Sequence, residues 1–275
     1  MEIPYLRLSD GISMPQIGFG TAGLGNSETT KKAINIALDA GYRHFDTASF
    51  YNNEKEIGQI LQERTDIPRQ ELFIATKLWN SDHGYEKTKK AFHKSLDRLH
   101  LDYIDLYLTH WPVPKLRKDS WKAMEELQDE GLIRSIGVSN YTIRHLNEMK
   151  EYAIVMPVIN QVEFNPFLNQ KDLYEYCQSH KIILEAYSPI LACIRKRDDD
   201  PILNDIAARY NKSIAQIAIR WSFQLNNSVI PKSSNFDRIH ENKDILDFQL
   251  TLDEMDQLNS LNEDLRLEWD PTDEP

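Results

Sequence analysis

His44-Phe45-Asp46-Thr47-Ala48-Ser49-Phe50-Tyr51-Asn52-Asn53-Glu54-Lys55-Glu56-Ile57-Gly58-Gln59-Ile60-Leu61 is the stretch whose reading decides the fold. His44 to Asp46 ends a short extended run begun after Gly41, while Ile57, Ile60 and Leu61 recur on one face of a helix that Asn53 is placed to cap. The residues between form a strand-to-helix loop, with Asp46 and Tyr51 at the strand's exit. In parallel α/β folds such loops carry the chemistry, because the strands supply a rigid base and the loop side chains face solvent and ligand.

Working outward, residues 5–8, the pair Asp10-Gly11 and residues 12–17 predict a β-hairpin. A strand follows at Ile17-Gly18-Phe19-Gly20, then a helix through Ala33, Ile34 and Leu38 capped by Asn26 or Ser27 and stopped at Gly41. Downstream, strands are expected over 72–77, 103–110, 135–139, 158–163, 182–187 and 228–231, with amphipathic helices near 85–99, 120–130, 142–152, 170–180, 213–224 and 236–245. With the strands at 17 and 44, that makes eight strands each followed by a helix, the repeat of a closed (β/α)8 TIM barrel. Two extra helices are expected, one around Ile202, Ile206 and Ala207, the other over 251–261. No Gly/Ser linker or charge block divides the 275 residues, so one domain over 1–275 is expected, ending in the acidic tail 270–275.

A net charge of -11 opposes nucleic acid and anionic membrane surfaces, which leaves small molecules as partners. Cys177 and Cys193 cannot build a disulfide framework, and no apolar run reaches the ~18 residues of a membrane span. Met-Glu-Ile-Pro-Tyr lacks the charged-then-apolar pattern of a signal peptide, so the cytoplasm is the expected location.

Two patterns compete for the chemistry. Gly18-Phe-Gly20-Thr-Ala-Gly23 matches the dinucleotide-binding glycine fingerprint, with Asp46 as the acid at the next strand's end. Tyr51-Asn-Asn-Glu-Lys55 has the Tyr-x-x-x-Lys spacing of short-chain dehydrogenases. In those enzymes the Tyr-Lys pair lies far downstream of the glycine loop, and eight βα units exceed one Rossmann sheet, so a Rossmann-type dehydrogenase stays an alternative only. Lys77 closes the strand Phe73-Ile74-Ala75-Thr76, and His110 closes the strand ending at Thr109, before Trp111-Pro112. Singly, a lysine cap and a core histidine explain them. Jointly, Asp46, Tyr51, Lys77 and His110 stand at consecutive strand ends, which a barrel gathers on one face.

From about residue 4 to about residue 270 the chain resembles the aldo-keto reductase family, and within it the small-carbonyl, 2,5-diketogluconate reductase-like branch. The resemblance is carried by Gly41-Tyr42-Arg43-His44-Phe45-Asp46-Thr47-Ala48, Thr76-Lys77-Leu78-Trp79, Leu101-Asp102-Tyr103-Ile104-Asp105, His110-Trp111-Pro112 and Ile136-Gly137-Val138-Ser139-Asn140. Further on, Asn160-Gln161-Val162-Glu163, Tyr187-Ser188-Pro189, Ile230-Pro231-Lys232-Ser233 and Arg238-Ile239-His240-Glu241-Asn242 follow in the family's order. It implies a (β/α)8 barrel that binds NADP(H) in extended form and reduces carbonyls without a metal, with Asp46, Tyr51, Lys77 and His110 as the catalytic tetrad. Monomers are common in the family, so a monomer is expected.

The tetrad also makes chemical sense by itself. Hydride transfer to a carbonyl builds negative charge on oxygen, which must be stabilised and protonated in place. Tyr51 is the candidate acid; Lys77 favours its phenolate; Asp46 holds and balances Lys77; His110 donates a hydrogen bond to the substrate oxygen. For the cofactor, Tyr187 is expected to stack on the nicotinamide and Ser139, Asn140 and Gln161 to bond its carboxamide, with Gly20, Thr21, Asp46, Ser188 and Leu191 also in contact. The loop after Tyr187, 190–197, departs from the Gly-containing clamp of many relatives, and its triplet Arg195-Lys196-Arg197 either covers the pyrophosphate or is a solvated turn; Cys193 in it reads as an exposed thiol. Lys232, Ser233 and Arg238 are expected on the 2′-phosphate, with Glu241 and Asn242 on the adenine edge.

The eight histidines show no metal-binding spacing and are expected mostly at the surface. Trp79, Trp111 and Leu24 are the expected pocket walls, and the short tail after Leu265 predicts an open site. Aldehydes, small ketones and dicarbonyls are the expected substrates, with sugar-derived keto acids as the rival class. A cofactor-bound regulatory or redox-sensing subunit without turnover is the non-enzymatic alternative, since barrels host many functions.

Overall fold

The computed structural model describes residues 2–25 and 27–274; Asn26, one of the two expected caps, and the last residue of the acidic tail lie outside them. The chain opens with an antiparallel hairpin, β1 (Tyr5–Arg7) and β2 (Ser13–Pro15). Asp10 Oδ1 accepts from the Ile12 amide at 3.0 Å and Gly11 sits at φ 91°, a left-handed position that favours glycine. Leu6, Leu8 and Met14 pack against Phe73, Ala75, Leu106, Leu108 and Ile159, so the hairpin plugs the end of the barrel interior away from the strand exits.

Eight parallel strands follow: β3 (Phe19–Gly20), β4 (His44–Asp46), β5 (Phe73–Leu78), β6 (Ile104–Thr109), β7 (Ile133–Ser139), β8 (Ile159–Glu163), β9 (Ile183–Tyr187) and β10 (Ser228–Val229), each beside its sequence neighbour. Ile17 bridges Val229 in parallel, and Gly18 N donates to Val229 O at 2.9 Å, which closes the ring. The glycine fingerprint serves this closure. A Cβ at Gly18 would stand 2.6 Å from His44 Nδ1, and one at Gly20 2.7 Å from Ile230 O. The rival Tyr51–Lys55 pattern dissolves likewise, because Asn52, at φ 54°, separates the 3-10 turn Ser49–Tyr51 from the helix that carries Lys55.

The strands are buried on both faces, hence their near-continuous apolar runs. In β5, Phe73 and Ala75 meet the hairpin inside while Ile74 and Leu78 join the cluster under the helices; Lys77 continues the inward row by the two-residue period. The helices are α1 (Ser27–Asp39), α2 (Glu54–Glu63), α3 (Tyr85–Leu99), α4 (Arg117–Asp129), α5 (Ile143–Met149), α6 (Lys171–Ser179), α7 (Leu191–Arg195), α8 (Pro201–Tyr210), α9 (Ile214–Gln224), α10 (Phe236–Lys243) and α11 (Leu252–Asn259). The two expected extra helices are α8 and α11. The third, α7, occupies a segment expected to be a loop, and Cys193 within it is fully buried, its thiol pushed up to about 12 by burial rather than exposed. Among the described residues no helix is long and apolar enough to cross a membrane.

The histidines are less superficial than expected: His44, His83, His110 and His145 are buried. His83 meets Ser120 Oγ at 3.1 Å, and burial pulls its pKa down to about 4. A depressed folded-state pKa means that the unfolded chain binds the proton first. Stability is therefore expected to fall as pH drops from about 6.5 towards 4, by on the order of 3 kcal/mol from this residue. Denaturant titrations of wild type and His83→Gln across that window should show a shallower pH slope in the variant.

Candidate active site

The strand exits of β4 to β6 carry the chemical groups. Asp46 ends β4, and Lys77 lies next to last in β5 with its whole side chain buried. The Lys77 ammonium donates to Asp46 Oδ1 at 2.6 Å and to Thr47 O at 2.9 Å. Its third direction faces Tyr51 Oη at 3.5 Å. Tyr51 reaches that position because the 3-10 turn Ser49–Tyr51 folds the loop back over β5, pinned by Ser49 Oγ donating to Lys77 O at 3.0 Å. Asn53 stands at the start of α2, yet its side chain makes no cap; it accepts from Thr47 Oγ1 at 2.6 Å and donates to Thr21 O at 3.0 Å, tying the loops together.

Burial raises the Tyr51 phenol above its ordinary value; Lys77 pulls it back down without prevailing. The phenol is therefore protonated at neutral pH. An unpaired buried ammonium would shed its proton, but here the attraction of Asp46 and Tyr51 outweighs burial and holds Lys77 above the usual lysine range. His110, just beyond β6, is pushed well below its ordinary value by burial and by Lys77, so it is a neutral imidazole with one N–H. Its ring stands edge-on to Tyr51, centroids 5.6 Å apart, and to Trp79 at 5.1 Å.

The polar wall continues under the same face. Asn140 takes the left-handed backbone (φ 63°) directly after β7, and its Nδ2 donates to His110 O at 3.0 Å while its Oδ1 accepts from Tyr187 Oη at 2.9 Å. Gln161 spends its amide N–H groups on two carboxylates, Asp46 Oδ2 at 2.8 Å and Glu185 Oε1 at 2.7 Å. Asp46 is thus clamped from both sides, by Lys77 and by Gln161.

These groups open into a cavity of about 680 Å³. Gly20, Asp46, Tyr51, Trp79, His110, Trp111, Ser139, Asn140, Gln161, Tyr187, Ser188 and Leu191 line it, as do Lys232, Ser233 and Arg238 beyond β10. Five expected residues do not. Lys77 stands behind Asp46 and Tyr51 with its side chain fully buried. Thr21 is buried behind the wall, donating to Asp46 O at 2.9 Å. Leu24 belongs to the core under the helices, leaving Ala22 and Gly23 at the surface of the cavity. Glu241 and Asn242 lie on α10 after Arg238, where Asn242 is turned inward and buried. The basic triplet divides: Arg195 lines the cavity, whereas Arg197 pairs with Glu263, its Nε 3.1 Å from Oε1.

Sequence reasoning missed Phe50, which stacks on Trp79 at 3.8 Å, and the C-terminal segment. The tail was expected to leave the site open. Instead Glu163, at the end of β8, accepts from the amides of Leu267 (3.1 Å) and Glu268 (3.0 Å), and Trp269 packs on Trp111 with centroids 4.5 Å apart. The Trp and Glu letters carried no periodic signal to place them there.

Comparison with known proteins agrees in both sequence and shape. The model of the aldo/keto reductase family matches residues 16–263. Among curated proteins, glyoxal reductase of Bacillus subtilis is 44% identical over 266 residues, covering 97% of this chain and 95% of that one. Methylglyoxal reductase of Escherichia coli K12 is 44% identical over 268 residues, covering 97% and 96%. The crystal structure of a Bombyx mori aldo-keto reductase in complex with NADP superposes with a TM-score of 0.91 at 36% identity, covering 97% of this chain and 95% of that chain. A match that runs from the first barrel strand past the last helix, on a chain whose strand exits gather Asp46, Tyr51, Lys77 and His110, places this protein in the aldo/keto reductase family.

Proposed function

We propose that this protein reduces small aldehydes, ketones and dicarbonyls to alcohols with NADPH, by direct hydride transfer and with Tyr51 as the proton donor. The observation that carries the reading is the buried ammonium of Lys77, fixed by Asp46 at 2.6 Å and facing the Tyr51 hydroxyl at 3.5 Å. That pair has no evident use in a barrel that only binds. It offers an acid whose conjugate base has a cation beside it.

The residues fit a phosphate-bearing dinucleotide. In a chain of net charge -11, Arg195, Lys232 and Arg238 all line one cavity, which also presents Tyr187. Lys232, Ser233 and Arg238 would hold the 2′-phosphate, Arg195 the pyrophosphate, and the Tyr187 ring the nicotinamide. When bound, the nicotinamide supplies the hydride. The neutral His110 N–H orients the carbonyl, Tyr51 protonates the oxygen as negative charge develops there, and Lys77 stabilises the phenolate left behind. Asp46 and Gln161 keep Lys77 charged and still.

The test is NADPH consumption on addition of methylglyoxal or an aromatic aldehyde. A regulatory subunit would bind NADPH and leave it unconsumed. Arg238→Ala is expected to weaken NADPH binding by roughly ten- to a hundredfold while leaving NADH binding nearly unchanged, since an exposed charge-assisted contact is worth at most about 1.5–3 kcal/mol. Tryptophan quenching with both cofactors reads this, and equal wild-type affinities would remove the case for NADP.

A further inference from the structure

The substrate end of the cavity carries an acid that the reduction itself does not use. Glu268 lines the cavity with Phe50, Tyr51, Trp79, Trp111 and Trp269. It is held there by its backbone amide, which donates to the buried Glu163 at 3.0 Å, and by the contact of its neighbour Trp269 with Trp111. Its charge reaches the reacting face, where it opposes ionisation of the Tyr51 phenol.

No ion pair neutralises it among the described residues. Arg195, Lys232 and Arg238 belong to the segments after β9 and β10, whereas Phe50, Tyr51, Trp79 and Trp111 come from the loops after β4, β5 and β6. Lys77 is neutralised by Asp46, and Arg266, two residues before Glu268, pairs with Asp270 at 3.5 Å. Among the described residues Glu268 itself has no ion-pair partner. Glu268 is exposed at the mouth of the cavity, beside the half-exposed rings of Phe50 and Trp269, so a like charge arriving there is repelled across a partly solvated gap, an effect that salt screens.

We propose that Glu268 is a specificity determinant which makes this site select uncharged carbonyl compounds and reject those bearing a carboxylate near the reacting carbon, such as keto acids. The inference rests on the reductase function proposed above. A carboxylate entering the mouth would lose hydration and gain only repulsion, whereas a neutral dicarbonyl or aldehyde meets aromatic surface. Discrimination by charge alone leaves the chemical step common to both classes, which makes the ratio of two isosteric substrates the right quantity to measure.

The experiment compares kcat/KM for para-formylbenzamide and para-carboxybenzaldehyde, at low salt and at high salt, in wild type, Glu268→Gln and Glu268→Lys. The wild type is expected to prefer the amide by about tenfold at low salt, and less at high salt, where the field is screened. In Glu268→Gln the preference should shrink to about twofold or less through a gain with the carboxylate, and in Glu268→Lys it should reverse, because the sign of the charge is what acts. An identical ratio in all three proteins would overturn the assignment while leaving the reductase reading intact. Turnover of neither aldehyde by the wild type would overturn the reductase reading, and this inference with it.

Discussion

Tyr51→Phe is expected to bind NADPH as the wild type does and to reduce carbonyls ~10²–10⁴-fold more slowly, the usual contribution of a positioned general acid. The substitution removes one hydroxyl and keeps the ring against His110, so the edge-on contact at 5.6 Å and the aromatic wall survive. What it deletes is the group facing Lys77, the proposed proton donor to the developing alkoxide. His110 cannot take over, because burial and Lys77 hold it neutral and far below its ordinary pKa. A variant with near-normal kcat would show that the proton comes from elsewhere.

Lys77→Met is expected to lose activity to a comparable degree and, unlike Tyr51→Phe, to lose stability. The ammonium is fully buried and donates to Asp46, Thr47 O and Tyr51. Without it the Asp46 carboxylate stays buried with Gln161 as its remaining side-chain donor, at 2.8 Å. Breaking a buried pair by removing one partner typically costs about 3–5 kcal/mol, because an uncompensated charge is left behind. The Tyr51 phenol, already raised by burial, loses the one group that lowers it, so its conjugate base becomes still less accessible. Denaturant midpoints and the pH–rate profile separate the two effects: unchanged stability and an unchanged profile would together mean that Lys77 is a bystander. Lys77→Met/Asp46→Asn should recover much of the lost stability and little of the activity, since only the unpaired charge is relieved.

The sequence was most informative where period and position coincide. Lys77 could be placed beside Asp46 because the two-residue alternation of β5 turns it inward and a barrel brings neighbouring strand exits together. His110, Asn140 and Tyr187 follow the same logic one residue past or at the end of β6, β7 and β9. The hidden parts are those without a period. Helix α7 has five residues, too few for a helical repeat to show, and so it passed for a loop. Glu268 and Trp269 sit in a segment with no regular structure, attached to the site through Glu163, 105 residues away in sequence. Leu24 is expected on the pocket wall, but only the path of the chain shows that its side chain turns into the core under the helices.

Direct passage of hydride from NADPH to the substrate carbon at this cavity can be read from an isotope label. The most direct measurement supplies NADPH stereospecifically deuterated at its transferable nicotinamide position, with methylglyoxal as substrate, and locates the label by mass spectrometry and NMR. One deuterium is expected on the newly formed carbinol carbon, from one face of the nicotinamide only, with a rate that falls in Tyr51→Phe. Product without deuterium, or binding of NADPH with none of it consumed, would contradict it.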